Sequence, residues 1–263
     1  MHYLLCLLFI LTTSLNALIV ETSSFKEITS YTNEETLVLL DIDDTLLLPV
    51  QMLGSDEWFL RHMQDIENKG LTKHLALERC IADWEAIRHI TKMRVVEEGT
   101  EQIVSKMQEE GVSIMALTTQ GMALATRTVQ QLADAGFNLL RTAPCADDFY
   151  IALAHHGVLY RKGVLFTSGT DKGAALFHFL DSIHYTPARI VFINDKASHL
   201  KEVENTALKR GVEFIGLRYA FADIHKAAFN YDIAKFQFTH SSFDRILSDE
   251  EAEKELAAQL LGF

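Results

Sequence analysis

The chain has 263 residues, 48% of them hydrophobic, which suffices for a sizeable core in one domain with a subdomain insert. Its formal charge of −12 argues against nonspecific binding to nucleic acid or an anionic membrane, where phosphates would meet repulsion instead of releasing counterions. No internal repeat, low-complexity tract or proline-rich linker divides it.

The amino terminus, "MHYLLCLLFILTTSLNALIVETSS", has an apolar run from Leu4 to Leu11, polar Thr12 to Ser14, and Ala17 as the last residue before cleavage. That layout predicts a secretory signal peptide over residues 1–17 and a mature domain over 18–263, exported to a periplasm or secreted, with no stable membrane association after cleavage. Only His2 could carry charge before the apolar run, and the competing readings are an uncleaved anchor from Leu4 to Val20 or a buried first strand. Cys6 belongs to the leader. Cys80 and Cys145 could pair or remain free thiols, and no zinc spacing is present.

The next apolar run, "TLVLLDIDDTLLLP" from Thr36 to Pro49, carries Asp41, Asp43 and Asp44 within four positions at the end of a predicted buried strand. Residues 52–97 follow as helix formers with no strand-like run, predicting a helical cap inserted after that strand. Further strands are predicted at Val112 to Leu117, Arg189 to Ile193 and Val212 to Tyr219. Helices are predicted at Gly99 to Glu110, Met122 to Ala135, Asp171 to Ile183 and Ala197 to Arg210. Residues 149–166 read as an insert of short strands turning near Arg161 to Gly163, which, like the cap, could overhang the strand ends. A serine-capped surface helix closes the chain in "SDEEAEKELAAQLLGF".

Strand and helix alternation predicts an α/β fold, a Rossmann-like and mostly parallel sheet covered on both faces, with ligands outside the carboxyl ends of the strands. The polar residues directly after the apolar runs are then the site candidates: Asp41 and Asp43, Thr118 and Thr119, Asn194 and Asp195. Asp41, Asp43 and Asp195 crowd negative charge that a divalent cation relieves, and Mg2+ suits a few carboxylate oxygens best. Beside a bound phosphoryl group Asp41 is an oxygen nucleophile and Asp43 a general acid and base. Lys172, opening a helix, and the Thr118 hydroxyl are the candidates for holding phosphate.

These segments resemble the motifs of the haloacid dehalogenase (HAD) superfamily. "LVLLDIDDT" is similar to its first motif with Asp41, Asp43 and Thr45, "VSIMALT" to the second with Thr118, "DKGAAL" to the third with Lys172, and "RIVFINDK" to the fourth with Asp195. The resemblance implies Mg2+, an aspartyl-phosphate intermediate and hydrolysis of a small phosphorylated metabolite. It also implies that the backbone carbonyl of Asp43 is its metal ligand. Asn194 departs from relatives that carry two acids in the fourth motif. A phosphotransferase or mutase, or a noncatalytic exported binding protein on the same fold, are the alternatives.

Other residues are read blandly. Asp44 is expected in a turn or cap, pointing away from the nucleophile, and Thr119 and Gln120 are as well explained as turn residues. His155 and His156 lack a further ligand at metal spacing. Trp58, Arg61, His62, Trp84, Arg88 and His89 could line a substrate pocket, but their helical spacing assigns them to the core or solvated face of the cap, with none of them chosen for the site.

Overall fold

The computed structural model describes residues 17–152, 157–242 and 245–261. The predicted leader lies outside these residues up to position 16, as do His155 and His156.

In chain order the elements begin with β1 (Ala17–Thr22), β2 (Thr36–Leu40), β3 (Leu47–Pro49), α1 (Asp56–Asn68), α2 (Lys73–Ile90) and β4 (Met93–Val95). Then come α3 (Thr100–Glu109), β5 (Ser113–Thr118), α4 (Ala125–Asp134), β6 (Phe149–Ala152), β7 (Gly157–Arg161) and β8 (Val164–Phe166). The remainder is α5 (Lys172–Ser182), β9 (Arg189–Asn194), α6 (Ala197–Lys209), β10 (Glu213–Tyr219), α7 (Asp223–Ala227), α8 (Tyr231–His240) and α9 (Asp249–Leu260).

An eight-stranded sheet runs in the order β1-β10-β9-β2-β5-β8-β7-β6, and β3 pairs with β4 in a separate ribbon. The pairings from β1 through β8 are parallel, while β7 is antiparallel to both its neighbours. This is the Rossmann-like, mostly parallel α/β architecture expected. The uninterrupted apolar run of β2 has a simple cause. Val38 and Leu40 enter one core with Val104, Met107 and Leu132, whereas Leu37 and Leu39 enter the other with Leu176, Phe179, Leu200 and Val203. Helices therefore cover both faces, and no position of the strand meets water.

Residues 149–166 do not overhang the strand ends. Their strands extend the sheet itself, with β8 pairing in parallel against β5 and β7 and β6 forming the edge. Gly163 makes the turn between β7 and β8 possible: its φ is +80°, and a Cβ there would lie 2.6 Å from the Leu139 backbone.

The cap is built from two distant pieces of chain. Helices α1 and α2 supply Trp58, Trp84 and Ile87 to a core of their own, and α8 closes it with Ala234 and Phe238. Ser55 and Thr72 cap α1 and α2 by accepting from Trp58 N and Leu75 N. The predicted terminal helix is α9, held by a capping box between Ser248 and Glu251 and buried at Ala252.

Candidate active site

Strand β2 lies between β9 and β5; the chain runs on from β2 towards β5 and from β9 towards β10, in opposite directions across the sheet, so a topological switch point lies between the carboxyl ends of β2 and β9. Leu40 aligns with Ala116 of β5 and Ile193 of β9, which brings Asp41 level with the ends of both neighbours. The Asp41 backbone N–H donates to Ile193 O at 3.1 Å and fixes the start of the loop.

Lys172 enters from the first residue of α5. Asp171 caps that helix by accepting from Ala174 N at 2.8 Å. Gly173 lets α5 approach α6, since a Cβ there would stand 2.3 Å from Glu202 O. Fully buried, the Lys172 ammonium donates to Asp41 Oδ1 at 2.8 Å and Leu117 O at 2.9 Å. Burial raises the Asp41 pKa, Lys172 lowers it, and the Asp195 and Asp43 charges raise it again, with a result of about 6. The Asp41 carboxyl is thus oriented by a neighbouring cation.

Asp195 follows β9 directly, with its backbone N–H on Thr45 Oγ1 at 3.2 Å. One of its carboxylate oxygens is paired with Lys226 of α7, and the other, Oδ1, is buried without a hydrogen-bond partner. Asn194 spends its side-chain oxygen on Lys196 N at 2.7 Å, while its Nδ2 is buried and unpartnered. The Thr118 hydroxyl oxygen accepts from Gln120 N at 3.2 Å, at the tip of β5.

Asp43 faces away from this row, toward the cap. Gln120 Nε2 donates to its Oδ2 at 2.8 Å, and Gln120 is itself held through Thr128 Oγ1 at 2.6 Å. Arg88 of α2 puts Nη1 2.8 Å from Asp43 Oδ1, as an ion pair out of line for a hydrogen bond. This corrects the assignment of Arg88 to a solvated face: it is 2% exposed and reaches the site. Asp56 of α1 also crosses the junction and pairs with Lys196, whose charge holds the Asp56 carboxyl below the usual range against the opposing effect of burial.

Asp44 occupies the expected turn, with φ 58° and its N–H on Leu47 O at 2.9 Å. It does more than turn the chain, because its buried carboxyl lies 3.6 Å from Lys226. Burial, then repulsion from Asp56, pushes its pKa up to about 8. Acids and cations therefore alternate through the crevice. Sequence reasoning missed Asp56 and Lys226, which no local pattern marks, and weighed Arg88 and Gln120 without choosing them; Gln120, two positions after a strand-ending threonine, offered the clearer signal.

Among the described residues no three His, Cys, Asp or Glu side chains converge as a metal-binding group. A divalent cation would have to use Asp41 and Asp195 with a backbone oxygen such as that of Asp43. The orphaned Asp195 Oδ1 and the mutual repulsion of Asp41 and Asp195 fit such an ion. The Asp43 carboxylate, committed to Gln120 and Arg88, is not in that set. Cys80 and Cys145 are both free, so no disulfide links them.

Two solved structures resemble the fold. A haloacid dehalogenase-like hydrolase from Streptococcus pneumoniae is 10% identical with a TM-score of 0.44, covering 74% of this chain and 99% of its own. A HAD-superfamily hydrolase of subfamily IA from Geobacter sulfurreducens is 11% identical with a TM-score of 0.38, covering 74% and 97%. Among sequences, a provisionally named outer membrane protein of Chlamydia pneumoniae is 26% identical over 88% of this chain and 86% of its own. One of the same name from Chlamydia muridarum is 27% identical over 84% and 82%. The family model described as "Protein of unknown function (DUF2608)" matches residues 21–253, and the chain belongs to that family.

Proposed function

We propose that the protein is an exported, Mg2+-dependent phosphatase of the HAD type, hydrolysing a small phosphomonoester through an aspartyl-phosphate. The observation that carries the reading is the buried Asp41 carboxylate, oriented by Lys172 at the carboxyl end of β2 beside the half-free Asp195. When bound, Mg2+ supplies neutralisation of phosphoryl charge.

The chain's own groups do the rest. A carboxylate oxygen of Asp41 attacks phosphorus as the ester P–O bond breaks, and Asp43, having taken up a proton from solvent, gives it to the departing oxygen. Asp43 then takes a proton from water, whose oxygen attacks phosphorus and breaks the bond to Asp41, releasing phosphate. Lys172 and the Thr118 hydroxyl hold phosphoryl oxygens, and α1 and α2 exclude bulk water. The Asp43 ion pair with Arg88 must loosen before that proton moves.

Export rests on the amino-terminal pattern, and it accords with the names of the chlamydial relatives. Among the described residues no helix is long and apolar enough to cross a membrane. The test is phosphate release from an aryl phosphate by the purified chain, with Mg2+ and again after chelation by EDTA. Release that stops with chelation is expected; Mg2+-independent release would remove the metal from the proposal. Folded protein inert towards this ester and a panel of natural phosphomonoesters would overturn it in favour of a binding protein.

A further inference from the structure

The guanidinium of Arg88 is held on three sides. Its face lies over the Trp84 ring, 5.0 Å from the centroid, and Nη1 lies 3.4 Å from Gly54 O and 2.8 Å from Asp43 Oδ1. The remaining edge, Nε and Nη2, is buried and without a hydrogen-bond partner. Those two N–H groups point the same way and form the side-on fork that matches a carboxylate in two parallel hydrogen bonds. Leaving both donors unpaired in a buried position is costly. The neighbouring cations offer no comparable vacancy: Lys172, Lys196 and Lys226 are paired with Asp41, Asp56 and Asp195.

We infer that Arg88 selects the substrate: its free edge takes a carboxylate carried on the leaving group of the phosphomonoester. The inference rests on the phosphatase reading and deepens it. Position argues for the leaving group and against the phosphoryl group, because Lys172 already stands at Asp41 while Arg88 approaches from the cap on the Asp43 side. Asp43 is then the anion that Arg88 holds at rest. As the substrate carboxylate takes the fork, it shares the guanidinium's charge, and Asp43 is freed to take up the solvent proton that it passes to the ester oxygen.

The experiment compares matched esters on the full chain with Mg2+: phosphoglycolate and its amide, and the 2-, 3- and 4-carboxyphenyl phosphates with their carboxamides. The wild type is expected to favour at least one carboxylate over its amide by about tenfold or more in kcat/KM, mostly through KM, the size expected of a charge-assisted bidentate contact. In Arg88→Gln and in Arg88→Lys, which keeps the charge without the fork, that ratio should fall to within about twofold, since each loses the bidentate contact. A purely structural role would slow both members of a pair alike and leave the ratio unmoved. Turnover of acids and amides at equal rates by the wild type, or an unchanged ratio in both variants, overturns the inference and leaves the phosphatase reading standing. No turnover of any ester by folded wild type overturns both.

Discussion

At the scale of the residue, the site is a set of charges that stabilise one another only in pairs. Lys172 is fully buried against Asp41, so removing the cation strands a carboxylate in the protein interior. Lys172→Met should destabilise the fold by about 3 kcal/mol, read as a lowered urea midpoint, and adding Asp41→Asn should recover part of that loss. Additive losses in the double variant would contradict the pairing. Asp41, Asp43, Thr118, Lys172 and Asp195 could be singled out in the sequence because each follows an apolar run or opens a helix. Arg88 could not: it lies between Ile87 and His89 in a helix rich in charges, where the pattern does not say that one arginine turns inward. Trp84, one turn earlier on the same helix, lies against its guanidinium, but the contact that draws it into the site, Asp43, is set by the placing of the cap.

At the scale of the element, close approach of backbone sets the geometry. Helix α5 carries Lys172 and nests on α6 only because residue 173 lacks a side chain, with Glu202 O and Thr206 Oγ1 where a Cβ would go. Gly173→Ala should cost about 2 kcal/mol or more by thermal or chemical unfolding, as overpacking without room to relax does. A neutral result would mean that the helices separate without strain. Losing the cap of α9 is a milder change, and Ser248→Ala should cost about 1 kcal/mol by the same measurement.

Strands β2, β5 and β9 were legible because burial on both faces leaves a run of apolar residues, and β10, half-buried at Glu213, Ile215 and Arg218, from the apolar residues between its charged ends. Strand β1 stood only as an alternative reading, since Leu18 to Val20 merge with the apolar leader. The ribbon of β3 and β4 has three residues a side, too few to show alternation. For β6 to β8 the strands were legible but their partners were not, because an apolar run does not say which edge it will join. The contribution of α8 to the cap is a long-range contact that no local pattern announces.

At the scale of the whole molecule, stability should depend on acid through His199 on α6. Burial, then the charges of Lys172 and Lys196, depress its pKa from 6.5 to about 3. The folded chain therefore binds fewer protons than the unfolded chain between those values, and stability falls as pH drops through that window. The ceiling is about 1.4 kcal/mol per pH unit, and screening of the partly exposed ring reduces it. His199→Gln should flatten the profile between about pH 6.5 and 4. Parallel profiles for the two proteins would show that His199 titrates normally in the fold.

The acidic chain and its crevice of alternating charges are reconciled if the site works on a phosphoryl group held at Asp41. The most direct test is the Mg2+-dependent rate of phosphate release by Asp41→Asn beside the wild type, with both shown to be folded by circular dichroism. Asn keeps an oxygen for Lys172 but removes the nucleophile, so the account predicts a folded variant with a rate reduced by about a thousandfold or more, the scale on which losing a covalent nucleophile is felt. A variant that releases phosphate at near the wild-type rate would contradict the account at its centre.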